Sequence, residues 1–292
     1  RVWVLGWGPS PMKTLVMKFG GTSVGSAEAI AQSAEIIRKA KNDWPRLAVI
    51  VSAMSGVTDL LLKGARTAAA GDGETFRAIA GELRSKHEAA INGLVRAIHE
   101  SPLQETILSC IAEFENLCHA VHVLGEASPR AVDAISSLGE RMSIRLVAAR
   151  LNQIGVPAEA IEANELIVTD DIFGSANPQM DETRARSQKR LCPILDAGGV
   201  PVITGFIGAT ADGVATTLGR GGSDFSAAIL AAALKASELR IYTDVSGVMS
   251  ADPRIVPDAV KLESLSFEEM QELAAAGAKV LNAQAVEFAR EK

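Results

Sequence analysis

Short apolar runs alternate along the chain with longer stretches in which apolar residues recur every three to four positions. Residues 14–19 (TLVMKF) and 47–51 (LAVIV) are runs of the first kind, the pattern of strands covered on both faces. Each ends in small residues: Gly20 and Gly21 after the first, Ser52, Ala53, Ser55 and Gly56 after the second. Between them, Ala29, Ile30, Ala34, Ile36 and Ile37 give residues 26–41 one apolar face, with Ser26 as the N-cap. Strand, glycine turn, helix, strand is the rhythm of an α/β fold around a parallel sheet.

Residues 58–124 break this rhythm. They are rich in Ala, Glu, Arg and Leu, poor in β-branched residues, and hold all four histidines, His87, His99, His119 and His122. They predict a helical excursion from the sheet. The rhythm then resumes with a helix at 137–153 and a strand at 156–161, then a helix at 181–195 and a strand at 200–205. A hairpin follows over 208–217, turning at Asp212 and Gly213. Next come an apolar helix at 225–236, a strand at 238–243, and helices at 267–276 and 283–290. Residues 1–11 lack the apolar core and cleavage site of a signal peptide. Met12-Lys13 looks like a natural start, so 1–11 are expected to be a leader outside the fold. The end at Glu291-Lys292, inside helical sequence, is expected to be a truncation or a linker.

Composition narrows the class of partner. A chain of 292 residues allows one large α/β domain or two smaller ones. A net charge of −6 without a basic block argues against nucleic acid or an anionic membrane as the main partner. No unbroken apolar run approaches the ~18 residues that cross a bilayer. Three cysteines (Cys110, Cys118, Cys192), with no CxxC pair, fit a reducing cytoplasm better than a disulfide framework or a zinc site.

The densest chemical signal is LGRGGSD, residues 218–224. Its glycines let backbone N–H groups approach a ligand, and the following helix start adds further N–H groups and a partial positive charge. Arg220 supplies a clamp for a carboxylate or phosphate. A tight turn with a surface arginine is the plainer reading, but it leaves the coincidence of Gly, Arg, Ser223, Asp224 and a helix start unexplained. KFGGTSVG, residues 18–25, sets Lys18 at a strand end before Gly20, Gly21 and Ser23. That lysine reads equally as a phosphate-binding charge at the carboxyl edge of the sheet or as a strand-end residue reaching solvent. The order is not that of a P-loop, because the lysine precedes the glycines.

Four further segments are ambiguous alone. VSAMSGVTDLL (51–61, then Leu62) offers the hydroxyls of Ser52 and Thr58, which are as readily plain turn formers. Glu140, in LGE at an expected helix start, could hold a ligand ammonium or merely complement the helix dipole. TDVSGVMSADPR (243–254) follows a strand and suits nucleotide contacts, or is a long surface loop. GAKVLN (277–282) brings Lys279, and a lone helical lysine is usually solvated. No histidine falls in these six segments, and neither G-x-S-x-G nor H-E-x-x-H occurs, so triad hydrolysis and histidine–zinc chemistry find little support. Anion clamps, lysines and carboxylates suit phosphoryl transfer.

Taken in order, KFGGTSV, TLGRGGSD (217–224) and TDV-x-GV-x-x-ADPR (243–254) resemble the aspartate kinases of the amino-acid kinase family. The resemblance spans about residues 12–292. It implies a three-layer αβα sandwich with a mainly parallel central sheet. An aspartate-binding lobe would cover about 12–205 and a nucleotide-binding lobe about 206–292. It implies transfer of the ATP γ-phosphate to the β-carboxylate of L-aspartate, the step that opens lysine, threonine and methionine synthesis. Lys18 would stabilise the transferring phosphoryl group, Arg220 would clamp the substrate α-carboxylate, and Glu140 would hold its ammonium. Ser52, Thr58 and Ser223 would complete that pocket, and Asp224 would orient Lys18 or the metal region. Gly20, Gly21, Ser23, Thr243, Asp244, Met249 and Arg254 would contact the nucleotide, with Lys279 reaching its phosphates. Mg²⁺ would bridge the phosphates with few protein ligands. The family often has Tyr where Met249 stands and KVLHP where this chain has KVLNA. It usually continues into ACT regulatory domains, sometimes into a fused homoserine dehydrogenase, and often forms homodimers. The competing readings are another amino-acid kinase, acting on acetylglutamate, glutamate, carbamate or UMP, and a non-catalytic nucleotide-binding subunit.

Overall fold

Burial on both faces explains the first two runs. In the computed structural model, β2 (Thr14–Phe19) and β3 (Arg46–Val51) are buried at every residue. Their side chains divide by parity, as a pleated strand requires. Leu15, Met17, Phe19, Leu47, Val49 and Val51 join one core cluster, whereas Val16, Ala48 and Ile50 join a second. The structure describes residues 2–6, 13–94, 102–243, 249–251, 255–256, 258–260, 262, 265–275 and 288.

β2 pairs in parallel with β3 and with β9 (Glu238–Tyr242). β3 pairs in parallel with β6 (Val200–Thr204), and β6 with β4 (Ala158–Ile161). The remaining strand is β1 (Val2–Gly6), antiparallel to β9 with Val2 opposite Tyr242. The expected leader therefore supplies an edge strand: VWVLG offers β-favouring residues to the open side of β9. The sheet order is β1-β9-β2-β3-β6-β4. A smaller sheet joins β5 (Val168–Thr169), β7 (Ile207–Thr210) and β8 (Ala215–Thr217). The last two form the expected hairpin, with Gly213 at φ +81° in its turn.

Helices α1 (Ala27–Asp43), α2 (Val57–Ala69), α3 (Gly73–Leu94), α4 (Pro102–Leu124) and α5 (Pro129–Gln153) cover one face through the first core cluster. Helices α6 (Met180–Asp196), α7 (Gly222–Ala233) and α8 (Phe267–Ala275) cover the other through the second. This is the αβα sandwich. Ser26 caps α1 by accepting from the Ala29 N–H at 3.2 Å. The helical excursion is α2 to α4. By length and composition α4 could cross a membrane, yet Ile107, Cys110, Ile111, Phe114, Cys118 and Val121 pack into the core. All three cysteines are free. The expected helix at 283–290 lies outside the described residues except for Phe288, whose ring meets Phe225 edge-on at 5.7 Å.

Two helix starts differ from the sequence pattern, and both affect the site. α5 begins two turns before residue 137, because Ser128 caps it and Pro129 takes the first position, where a missing N–H costs nothing. α7 begins at Gly222 rather than 225, inside the glycine-rich loop.

Candidate active site

Because β2, β3, β6 and β9 are parallel, their carboxyl ends share one edge of the sheet, where ligands of open α/β folds sit. There the loops enclose a cavity of about 610 Å³. The turns after β2 and β3 are pressed together: the Ser55 N–H donates to Gly21 O at 3.2 Å. A Cβ on Gly21 would come within 3.0 Å of Ala53 O, so a larger residue fits only if the turn after β3 gives way.

Glu140 is not in a first helical turn, as its LGE context suggested. It lies three turns into α5 and is 3% exposed, so dipole complementation does not account for it. Its position depends on Gly139, where a Cβ would fall 2.8 Å from the Ala53 Cβ. Without that atom α5 closes on the turn after β3, and the Ala53 N–H donates to Glu140 Oε1 at 3.1 Å. Glu140 Oε2 is buried with no protein partner. Burial pushes the carboxyl up to about 8, against the pull of the Ala53 N–H and the charge of Lys18.

Across the cavity, Gly219 and Gly221 both take φ +75°, a left-handed conformation that side chains disfavour. The chain thereby turns from β8 into α7 within five residues and leaves Arg220 exposed at the rim. Asp224 falls in the first turn of α7 and forms an ion pair with Lys18, Oδ1 standing 2.6 Å from Nζ. A Cβ on Gly205 would overlap the Ser223 side chain at 2.7 Å, so the end of β6 abuts this helix start directly.

Lys18, Gly21, Ser52, Thr58, Glu140, Arg220, Ser223 and Asp224 thus come together around one cavity. Gly20 and Ser23 belong to the same turn, with the Ser23 N–H donating to Gly20 O at 2.9 Å, but do not line the cavity. Thr243 follows β9, half-buried, and Met249 is also half-buried; neither lines it. Asp244, Arg254 and Lys279 lie outside the described residues. Asp59, Asp133, Ser136 and Phe206 line the cavity without having been singled out by the sequence. Asp133, Ser136 and Glu140 share one helix face, a spacing readable once α5 is known to start at Pro129. Phe206 takes φ +68°, a strained conformation for an aromatic residue that no sequence signal announces.

Residues 13–292 match the Amino acid kinase family. The chain belongs to that family. As an amino acid kinase family member it is 39% identical over 268 residues to an aspartokinase of Chlamydia muridarum, covering 92% of this chain and 56% of that one. It is 38% identical over 280 residues to an aspartokinase of Pseudomonas aeruginosa, covering 95% and 53%. The chain spans about half the length of these curated relatives. Among solved structures it is similar to E. coli aspartokinase III in complex with aspartate and ADP, with a TM-score of 0.85 and 34% identity over 96% of this chain and 60% of that one. The fold extends to uridylate kinase from Archaeoglobus fulgidus, with a TM-score of 0.50 and 18% identity over 95% and 86%. Among the described residues of this family member, no group of three His, Cys, Asp or Glu side chains could hold a metal ion.

Proposed function

We propose that the chain is the catalytic unit of an aspartate kinase, transferring the γ-phosphoryl group of MgATP to the β-carboxylate of L-aspartate. The products are 4-phospho-L-aspartate and ADP, and the setting is the cytoplasm, at the start of lysine, threonine and methionine synthesis. The observation that carries this reading is Glu140 Oε2, buried and unpartnered in a cavity bordered by Arg220. An acceptor with a free ammonium and a free α-carboxylate satisfies both groups. An acetylated amine, or a substrate without one, gives Glu140 Oε2 no charged partner, and the buried carboxyl then keeps its proton instead of forming an ion pair with the substrate. The similarity to aspartokinases, one of them a complex with aspartate and ADP, supports the same acceptor.

The chemistry needs no general base, because a carboxylate of pKa ~4 is already ionised at neutral pH. A β-carboxylate oxygen bonds to the γ-phosphorus, and the bond to the β,γ-bridging oxygen breaks, its electron pair leaving with ADP. Lys18 offsets the negative charge on the transferring oxygens, and Asp224 fixes where Lys18 stands. Ser52, Thr58 and Ser223 offer hydroxyls to the substrate. Thr243, Asp244, Met249 and Arg254 would take the nucleotide, Lys279 would reach its phosphates, and Mg²⁺ brought in with ATP would offset part of their charge. The acceptor lobe is about 12–205 and the nucleotide lobe about 206–292.

The test is ADP release with aspartate, glutamate, N-acetylglutamate, carbamate and UMP offered side by side. Aspartate gives the highest kcat/KM; a better acceptor among the other four overturns the assignment.

A further inference from the structure

Asp133 and Glu140 sit seven residues apart on α5, two turns or roughly 10 Å along one face. Both reach the cavity, but their oxygens are engaged differently. Glu140 leaves Oε2 unpartnered. Asp133, 1% exposed, accepts three hydrogen bonds from the protein. Its Oδ2 takes the Gly174 N–H at 2.8 Å and the Thr217 N–H at 2.9 Å, and its Oδ1 takes the Thr217 hydroxyl at 2.7 Å.

These donors lie on two different segments that border the cavity. Gly174 belongs to loop 170–177, which Asp170 closes on itself: Oδ1 accepts the Asn177 N–H at 2.9 Å and Oδ2 its side-chain amide at 2.8 Å. Thr217 ends β8, three residues before Arg220. The two segments are also joined to each other, the Ala176 N–H donating to Thr217 O at 2.9 Å. A Cβ on Gly219 would lie 3.3 Å from Gly174 O, so little slack remains between them. One buried carboxylate therefore holds the root of the Arg220 loop against the helix that carries Glu140.

We propose that Asp133 is a positioning residue that fixes Arg220 relative to Glu140, and thereby selects a four-carbon amino dicarboxylate over its five-carbon homologue. The inference rests on the aspartate kinase reading, in which those two groups hold the α-carboxylate and the ammonium. With both fixed, the substrate Cα sits at one depth. The β-carboxylate of aspartate then reaches the phosphoryl group at Lys18, and the longer side chain of glutamate overshoots it. Loss of the carboxylate at 133 leaves three buried donors competing for fewer acceptors, and the Arg220 loop acquires freedom. Asp133 touches no reacting atom; it acts through Thr217.

The experiment compares wild type, Asp133→Asn, Thr217→Val, the double variant and a core control, Ile111→Val. For each, kcat and KM are measured with aspartate and with glutamate, together with the ATP KM and Tm. In Asp133→Asn the aspartate KM rises about tenfold or more with kcat nearly kept, the ATP KM holds, and the preference for aspartate over glutamate falls by a similar factor. Thr217→Val, which removes only the hydroxyl donor, moves the same quantities less. The double variant is no worse than Asp133→Asn, because both act on one clamp. Ile111→Val loses Tm alone. A folded Asp133→Asn with unchanged aspartate KM and acceptor preference overturns the proposal, as does an Ile111→Val that reproduces the loss. Should Asp133→Asn fail to fold, unchanged KM and preference in Thr217→Val overturn it equally. Wild type that ignores aspartate but phosphorylates another acceptor removes the functional reading and this proposal together. Wild type that prefers aspartate, with unaffected variants, removes this proposal alone.

Discussion

Lys18 Nζ stands 2.6 Å from Asp224 Oδ1, an ion pair that joins the end of β2 to the first turn of α7. The two side chains are 11% and 18% exposed, so water screens the pair only partly. Asp224 therefore keeps the ammonium at the cavity wall, where the proposed function has it meet the charge that develops on the transferring phosphoryl group. Lys18→Ala removes that charge while leaving Glu140 and Arg220 in place. Its kcat falls about 10²–10³-fold with the aspartate KM nearly unchanged, as for other lost transition-state donors. Steady-state kinetics in both substrates reads this, and a loss confined to ATP affinity contradicts the role.

In the proposed reaction Arg220 holds the α-carboxylate, a part of the substrate that does not react. Arg220→Ala raises the aspartate KM by about ten- to a hundredfold, the worth of a charge-assisted hydrogen bond, and spares most of kcat. A drop in kcat with the KM intact would place Arg220 at the phosphoryl group instead.

The gathering of Lys18, Arg220 and Asp224 around one cavity was legible because KFGG and LGRGGSD need their glycines for reasons visible in the chain. Gly21 lies against Ala53 O, and Gly219 and Gly221 take φ +75°. The sheet was legible for a similar reason, since β2 and β3 are apolar at nearly every position and buried on both faces. Asp133 was hidden because Ser128-Pro129 looks like loop sequence, which concealed the first two turns of α5. The edge strand β1 was hidden because its pairing depends on the open side of β9, a partner more than two hundred residues away in sequence. Phe206 takes its positive φ while packed against Gly222, where a Cβ would meet its ring at 2.9 Å, and no local pattern encodes that contact.

If Glu140 holds the substrate ammonium as proposed, aspartate binding depends on pH. Its carboxyl is raised from 4.5 to about 8 chiefly by burial. Between those values the folded protein holds a proton that the unfolded chain has lost. The stability contributed by neutral Glu140 is fully present below pH 4.5 and is lost as pH rises to about 8. A substrate ammonium favours the ionised form, so binding below about pH 8 releases a proton. The aspartate KM accordingly falls as pH rises, by up to about tenfold per unit, and levels off above the folded-state value. Glu140→Gln binds aspartate weakly and shows neither the slope in KM nor the slope in stability. KM measured against pH, with Tm in the empty protein, checks both; a wild-type KM independent of pH contradicts the assignment.

Gly139 tests how closely α5 must approach the turn after β3. Alanine within a helix is ordinarily worth about 1 kcal/mol over glycine. At this position the added Cβ meets the Ala53 Cβ at 2.8 Å, and overpacking of about 1–3 kcal/mol outweighs the gain. Gly139→Ala thus lowers Tm and weakens aspartate binding together, because Ala53 also donates to Glu140. A stabilised variant with normal kinetics means the turn yields without cost.

The central claim is that this cavity phosphorylates a carboxylate of aspartate, and trapping the acyl phosphate tests it most directly. Purified chain, ATP, Mg²⁺ and L-aspartate are incubated with hydroxylamine, which converts an acyl phosphate to a hydroxamate. Aspartate-dependent hydroxamate, formed about 10²–10³-fold more slowly by Lys18→Ala, is the expected result. ATP binding without any aspartate-dependent hydroxamate would contradict the account.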